Sequence, residues 1–130
     1  MEATVIEAPD RRVLRLAPTE EEALRRLDNA LSVFSEVQWT MPLQVAHALV
    51  RLTLNQGSSL VELAKIADQP MSNMSRHMLD LQETNRRLEP GLDLVEVNID
   101  PNERRRKQYW LTPKGQQAVK RVLAAMGGKL

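Results

Sequence analysis

The chain has 130 residues, of which 42% are hydrophobic and 27% charged, the composition of a single globular domain. Lys and Arg number 18 against 17 Asp and Glu, so bulk charge gives no sign of a polyanionic partner. The absence of Cys excludes a disulfide framework, thiolate metal sites and cysteine redox chemistry. No apolar run approaches the ~18 residues of a membrane helix, and the N-terminus has no apolar signal region, so a cytoplasmic protein without a membrane partner is expected.

Charge is unevenly spread. Residues 71–130 hold eleven basic and seven acidic side chains, and Arg104, Arg105, Arg106 and Lys107 are consecutive. The near-neutral total therefore hides a local basic site.

Residues 1–18 show no clean period and read as a flexible, solvated arm with a short extended stretch at Arg12–Leu16. Arg11, Arg12 and Arg15 are its cations. Thr19-Glu20-Glu21-Glu22 then reads as a capping box, with Thr19 as the cap and Glu22 reaching back. Leu24, Leu27, Leu31 and Phe34 follow at spacings of three and four, one apolar stripe on a first helix. Thr40-Met41-Pro42 opens a second helix, which Gln56-Gly57-Ser58 stops. Ser59-Leu60-Val61-Glu62 is another capping box, starting a short third helix through Leu63, Ala64 and Ala67. Asp68-Gln69-Pro70 breaks the chain. A fourth helix is expected to run to about Arg87, with Met74, Met78, Leu81 and Leu88 on its buried face. A short helix, a tight turn and a longer helix with small polar residues at its start form a helix-turn-helix.

The texture then becomes extended. Leu92, Leu94, Val95, Val97 and Ile99 read as a strand with polar residues interleaved. Asp100-Pro101-Asn102-Glu103 is turn chemistry, and Lys107–Leu111 is the returning strand. The arginines fall at the tip of this hairpin. Thr112-Pro113-Lys114-Gly115 caps a last helix carrying Ala118, Val119, Val122, Leu123 and Met126, and Gly127-Gly128 ends it.

Several elements resemble the MarR-type winged-helix transcription regulators: Leu60-Val61-Glu62-Leu63-Ala64, Met74-Ser75-Arg76, and above all Asp100-Pro101-Asn102-Glu103-Arg104-Arg105-Arg106-Lys107 followed by Leu111-Thr112-Pro113-Lys114-Gly115. The family wing reads Asp-Pro-x-Asp-Arg-Arg, then a short strand, then Leu-Thr-Pro-x-Gly. The likeness covers residues 40–126 without a gap in the wing, with Glu103 in place of the second Asp. It implies a mainly α fold with a small β-hairpin: a winged helix-turn-helix with flanking N- and C-terminal dimerisation helices over 19–126, and a tail at 127–130.

The resemblance also implies a dimeric, sequence-specific regulator of double-stranded DNA. Pro70, Met71, Ser72, Asn73, Ser75 and Arg76 would face the major groove. Arg104, Arg105, Arg106 and Lys107 would form the wing contact at the minor groove, with Glu103 orienting one of the arginines. Leu24, Leu27, Leu31, Phe34, Val119, Val122, Leu123 and Met126 would build a homodimer, and two-fold symmetry would favour an inverted repeat. The chain departs from the family in a longer Glu83–Leu92 connection and a single C-terminal helix. These departures, with the neutral total charge, leave a second reading: a winged helix used for protein–protein contact.

Other features are explained structurally. His47 and His77 lie too far apart in sequence to suggest a zinc site. Met74 and Met78 suit the core, and Trp39 and Trp110 are expected to anchor packing rather than line an effector pocket. Arg76 suits either a phosphate or Asp80, four residues on. No nucleophile, phosphate loop or metal motif appears, so neither enzymatic activity nor a cofactor is expected, and nothing supports a small-molecule effector.

Overall fold

The computed structural model describes residues 3–8, 11–84 and 88–127. Two strands, β1 (Thr4–Ala8) and β2 (Arg11–Arg15), precede four helices: α1 (Pro18–Val37), α2 (Leu43–Leu54), α3 (Leu60–Ala67) and α4 (Met71–Leu81). A second hairpin follows, β3 (Val95–Ile99) with β4 (Lys107–Leu111), and α5 (Pro113–Ala125) closes the order.

Leu49, Leu52, Leu63, Met74, Met78, Leu81, Leu94 and Val95 form the fully buried centre, drawn from α2, α3, α4 and the start of the wing. At about 25 cal/mol per Å² of apolar surface, burial on this scale is the main force holding the three helices and the hairpin together. Met74 and Met78 fill this core, as their spacing predicts. Helices α1 and α5 pack on each other, and Phe34, Val37 and Val119 join them to the centre.

Local chemistry explains most boundaries. Ser59 accepts from the Glu62 amide at 3.2 Å while the Glu62 carboxylate accepts from the Ser59 amide at 3.2 Å, the reciprocal box its sequence predicts. Asp68 ends α3 in the left-handed region, φ 52°, which Asp tolerates better than most residues. Arg51 then donates to the Ala67 carbonyl at 3.3 Å, tying α2 to the end of α3.

The start of α5 is held by tertiary contacts. Thr112 Oγ1 accepts from the Gly115 amide at 2.9 Å and donates to the Asp93 carbonyl at 2.6 Å. The helix thus begins in direct contact with the chain entering β3. A Cβ on Gly115 would lie 2.0 Å from the Leu94 carbonyl oxygen, so only glycine allows this approach.

Besides β3, which begins at Val95 rather than at Leu92, three features differ from the sequence expectation. Helix α1 begins at Pro18 rather than after Thr19; Glu20, not Glu22, reaches back to the Ala17 amide at 2.8 Å. Pro18 suits the first helical position because its missing N–H has no intrahelical partner there. Helix α4 ends at Leu81 instead of continuing to Arg87. The backbone turns away because Leu81 and Asp80 carbonyls accept from Leu94 and Leu92 amides, and Gly91 passes against the Gln82 carbonyl. Leu88 is consequently 88% exposed at φ 59° and is not part of the buried face; Asn85, Arg86 and Arg87 lie outside the described residues.

The third difference is at the N-terminus. The segment expected to be an arm with one extended stretch is an antiparallel hairpin, with Val5 opposite Leu14 and Ile6 opposite Val13. Its base is held by one carboxylate: Glu20 also accepts from the Ala3 amide, at 2.6 Å.

Among the described residues no helix is long and apolar enough to cross a membrane.

Candidate nucleic-acid interface

The predicted residues of α4 cluster at its N-terminal end. Pro70, Met71, Ser72, Asn73 and Arg76 are exposed and Ser75 is half-buried, while Met74 and Met78 point inward. The inward residues lie in the core, so the outward face is presented on a rigid element.

Residues of α4 and of the second hairpin meet in one cleft of about 500 Å³. Ser75 and Leu79 line it from α4, Arg105 and Lys107 from the hairpin, and Ser59 and Val61 from the start of α3. Two further grooves flank α4. One holds Gln44, Asn73 and Arg76; the other holds Lys65, Pro70 and Met71. Gln44 and Lys65 carry no motif, so the sequence did not single them out. Only the packing of α2 and α3 around the start of α4 brings them to the surface beside it.

The hairpin turn is built as its sequence predicts. The Asp100 carboxylate accepts from the Asn102 amide at 2.8 Å, and the Asp100 amide donates to the Arg106 carbonyl at 2.8 Å. Strand β4 is fixed on its other edge too: Gly57 donates to the Tyr109 carbonyl at 2.8 Å, and the Tyr109 amide donates to Ser58 at 3.0 Å. Trp110 lies over Gly57, where a Cβ would sit 2.8 Å from its ring, so this Trp anchors packing as expected. Burial raises the Tyr109 phenol above its ordinary pKa.

The four consecutive wing cations divide into two kinds. Arg104, Arg105 and Lys107 are exposed. Arg106 turns back into the chain: it pairs with Asp100 at 3.0 Å and with Glu62 of α3. These contacts have electrostatic consequences. The Arg106 hydrogen bond, aided by the Ser59 backbone amide, lowers the Glu62 pKa to about 2. The Asn102 amide, then Arg106, lowers that of Asp100, and both carboxylates raise that of Arg106. Among the described residues, the acids that hold a wing arginine are therefore Asp100 and Glu62, not Glu103. Glu62 was legible only as half of a capping box; its second partner is 44 residues away in sequence.

The residues expected at a dimer interface also divide. Phe34 and Val119 are partly buried against the core of their own chain, and Val122 is half-buried. Leu24, Leu27 and Leu31 are 45–51% exposed, and Leu123 and Met126 are 46% and 41% exposed. Trp39 is 85% exposed, so it does not anchor packing within this chain. It lies two residues beyond the end of α1, whose last residue, Val37, still packs against the core.

No protein-family model matches the chain, and no curated protein does. Solved structures do. A MarR family transcription regulator superposes with a TM-score of 0.57 at 22% identity, covering 78% of this chain and 62% of its own. A mutant of S. aureus MepR bound to oligodeoxyribonucleotide gives 0.63 at 19% identity, covering 84% of this chain and 73% of its own. The transcriptional repressor CouR, bound to a 23-mer DNA duplex, gives 0.57 at 23% identity, covering 84% and 70%. The chain thus spans less than two thirds of the length of the first of these regulators. The helix order, the latched hairpin and these superpositions together establish that this chain has the winged helix-turn-helix fold of the MarR family transcription regulators.

Proposed function

We propose that this protein is a MarR-type transcription regulator that binds double-stranded DNA as a homodimer. The observation that carries this reading is the cleft that Ser75 and Leu79 of α4 share with Arg105 and Lys107 of the hairpin, with the exposed residues at the start of α4 in the grooves that flank it. A major groove admits a single helix, and small polar residues at its start reach base edges. Ser72, Asn73 and Arg76, with Pro70, Met71 and Ser75 beside them, take that place. Arg104, Arg105 and Lys107 lie at the adjoining minor groove, where a narrow A·T-rich segment concentrates negative potential. Arg106 serves as a positioning residue, holding the wing against α3. The superposing MepR and CouR structures are bound to DNA, which supports DNA as the partner.

The exposed row of Leu24, Leu27 and Leu31, beside Leu123 and Met126, fits a second copy of the chain. Two-fold pairing then favours an inverted repeat with half-sites about one helical turn, ~10 bp, apart. The test is titration of the purified protein with duplex DNA at increasing salt. Binding that weakens steeply with salt supports the reading. No binding at low salt refutes it and favours protein contact through the same surface.

A further inference from the structure

Tyr109 carries a polar group that the fold does not use. The residue is 8% exposed and its ring belongs to the core, yet its hydroxyl makes no hydrogen bond among the described residues. The Gln69 Oε1 atom is the one fully buried side-chain oxygen or nitrogen among them without a partner, so the Tyr109 hydroxyl is not sealed in the core. Tyr109 lines the cleft between α4 and the wing, and its hydroxyl opens there. A hydroxyl largely removed from water without an acceptor costs free energy, and a ligand that supplies the acceptor recovers it. Burial holds the phenol above its ordinary pKa, so at neutral pH it is a proton donor.

The rest of the cleft is lined to receive an anion. Arg105 and Lys107 bring positive charge against one carboxylate that is not tied to an arginine, Glu103. Lys107 and Tyr109 are two residues apart on β4 and so share a face of the strand. Leu60 and Val61 also line the cleft, and they are the first two residues of α3. Their amides have no acceptor among the described residues, which leaves two free donors at the positive end of that helix.

With α4 in a major groove and the wing in the adjoining minor groove, the sugar–phosphate strand that separates the two grooves runs between them. We infer that Tyr109 contacts this strand: its hydroxyl donates to a phosphate oxygen at the floor of the cleft, beside the Leu60 and Val61 amides. The inference rests on the DNA-binding reading above and adds to it a neutral donor outside the basic run. Tyr109 is held ready for the contact, because β4 is bonded on both edges, to β3 through Val97 and to Gly57 and Ser58. Little ordering is then required on binding.

Tyr109→Phe removes this hydroxyl alone. The variant of the full chain is expected to bind a pool of random-sequence duplex DNA about tenfold more weakly than the parent protein. Its salt slope should be unchanged, because a neutral donor releases no counterion. Its urea midpoint should not fall, because no partner within the chain is lost. Tyr109 is the only tyrosine, so an isotope label on the tyrosine ring gives one NMR signal, which the duplex should shift. Unchanged affinity in Tyr109→Phe overturns the inference and leaves the DNA-binding reading standing. So does a lowered midpoint, which would give the hydroxyl a partner inside the chain. A signal that moves with inorganic phosphate but not with duplex assigns the cleft to a free anion and overturns it too. A parent protein that binds no duplex at low salt overturns both readings.

Discussion

The guanidinium of Arg106, on the wing, is ion-paired with the carboxylate of Glu62 in the first turn of α3. The same guanidinium holds Asp100 at the wing turn. One side chain therefore joins the hairpin to the helix-turn-helix, beside the backbone hydrogen bonds that tie Tyr109 to Gly57 and Ser58. The contact also gives Glu62 two partners, because the Ser59 amide bonds the same carboxylate.

This pairing has a pH signature. Glu62 titrates near 2 in the folded chain instead of its ordinary 4.5. A depressed folded-state pKa contributes stability that is fully present above 4.5 and is lost as pH falls from 4.5 towards about 2. Arg106→Ala is expected to move the Glu62 carboxyl titration, followed by NMR, up towards 4.5, stopping short because the Ser59 hydrogen bond remains. The stability difference between the two proteins should shrink across the same interval. A Glu62 titration unmoved by the substitution would show that Arg106 is not its partner in solution.

Gly115 is a test of packing. Its missing side chain lets the start of α5 approach the Leu94 backbone. Gly115→Ala should cost about 1–3 kcal/mol or more through forced backbone displacement, read as a lower urea midpoint. Alanine otherwise favours a helix over glycine by nearly 1 kcal/mol, so an unchanged or raised midpoint would contradict the close approach.

The wing cations should act through charge. Each phosphate neutralised contributes about 0.9 to the slope of log K against log salt. Arg104→Ala combined with Arg105→Ala should reduce that slope by about 2 and weaken binding to all duplexes alike. An unchanged slope would remove the wing from the interface.

Asn73 should act through sequence. It is exposed on the first turn of α4, and amide side chains pair with base edges in the major groove. Asn73→Ala should reduce discrimination at one position of each half-site by about 1–3 kcal/mol while leaving the salt slope nearly intact. A uniform loss over all sequences would assign Asn73 to the backbone instead.

Leu27 tests self-association through the helices. It is 46% exposed in the middle of the α1 stripe. Leu27→Glu should shift the sedimentation equilibrium towards monomer, because a charge buried between two copies lacks a partner. The substitution leaves the chain's own core untouched, so helicity should persist.

What was legible in the sequence was local. The Ser59 box, the Asp100 turn and the Thr112 cap each depend on residues within three positions of one another, and all three are realised. The winged-helix order follows from them. The end of α4 was not legible, because Leu88 continues the helical spacing and the stop is imposed by Leu94, which bonds back to Leu81. The start of α1 is set locally, by Pro18 at the first helical position and Glu20 bonding the Ala17 amide, a signal with which Thr19 and Glu22 compete in the sequence. Within the basic run, composition could not separate Arg106 from its neighbours. Only the fold brings Glu62 to it. Trp39 illustrates the converse, since its apolar bulk suggests burial that this chain alone does not supply.

The most direct test of the account is selection of random duplex fragments by the purified protein at near-physiological salt. If α4 and the wing read DNA as a two-fold pair, the recovered fragments share an inverted repeat with half-sites about one helical turn apart. Fragments retained without a shared sequence, or no retention at all, would contradict it.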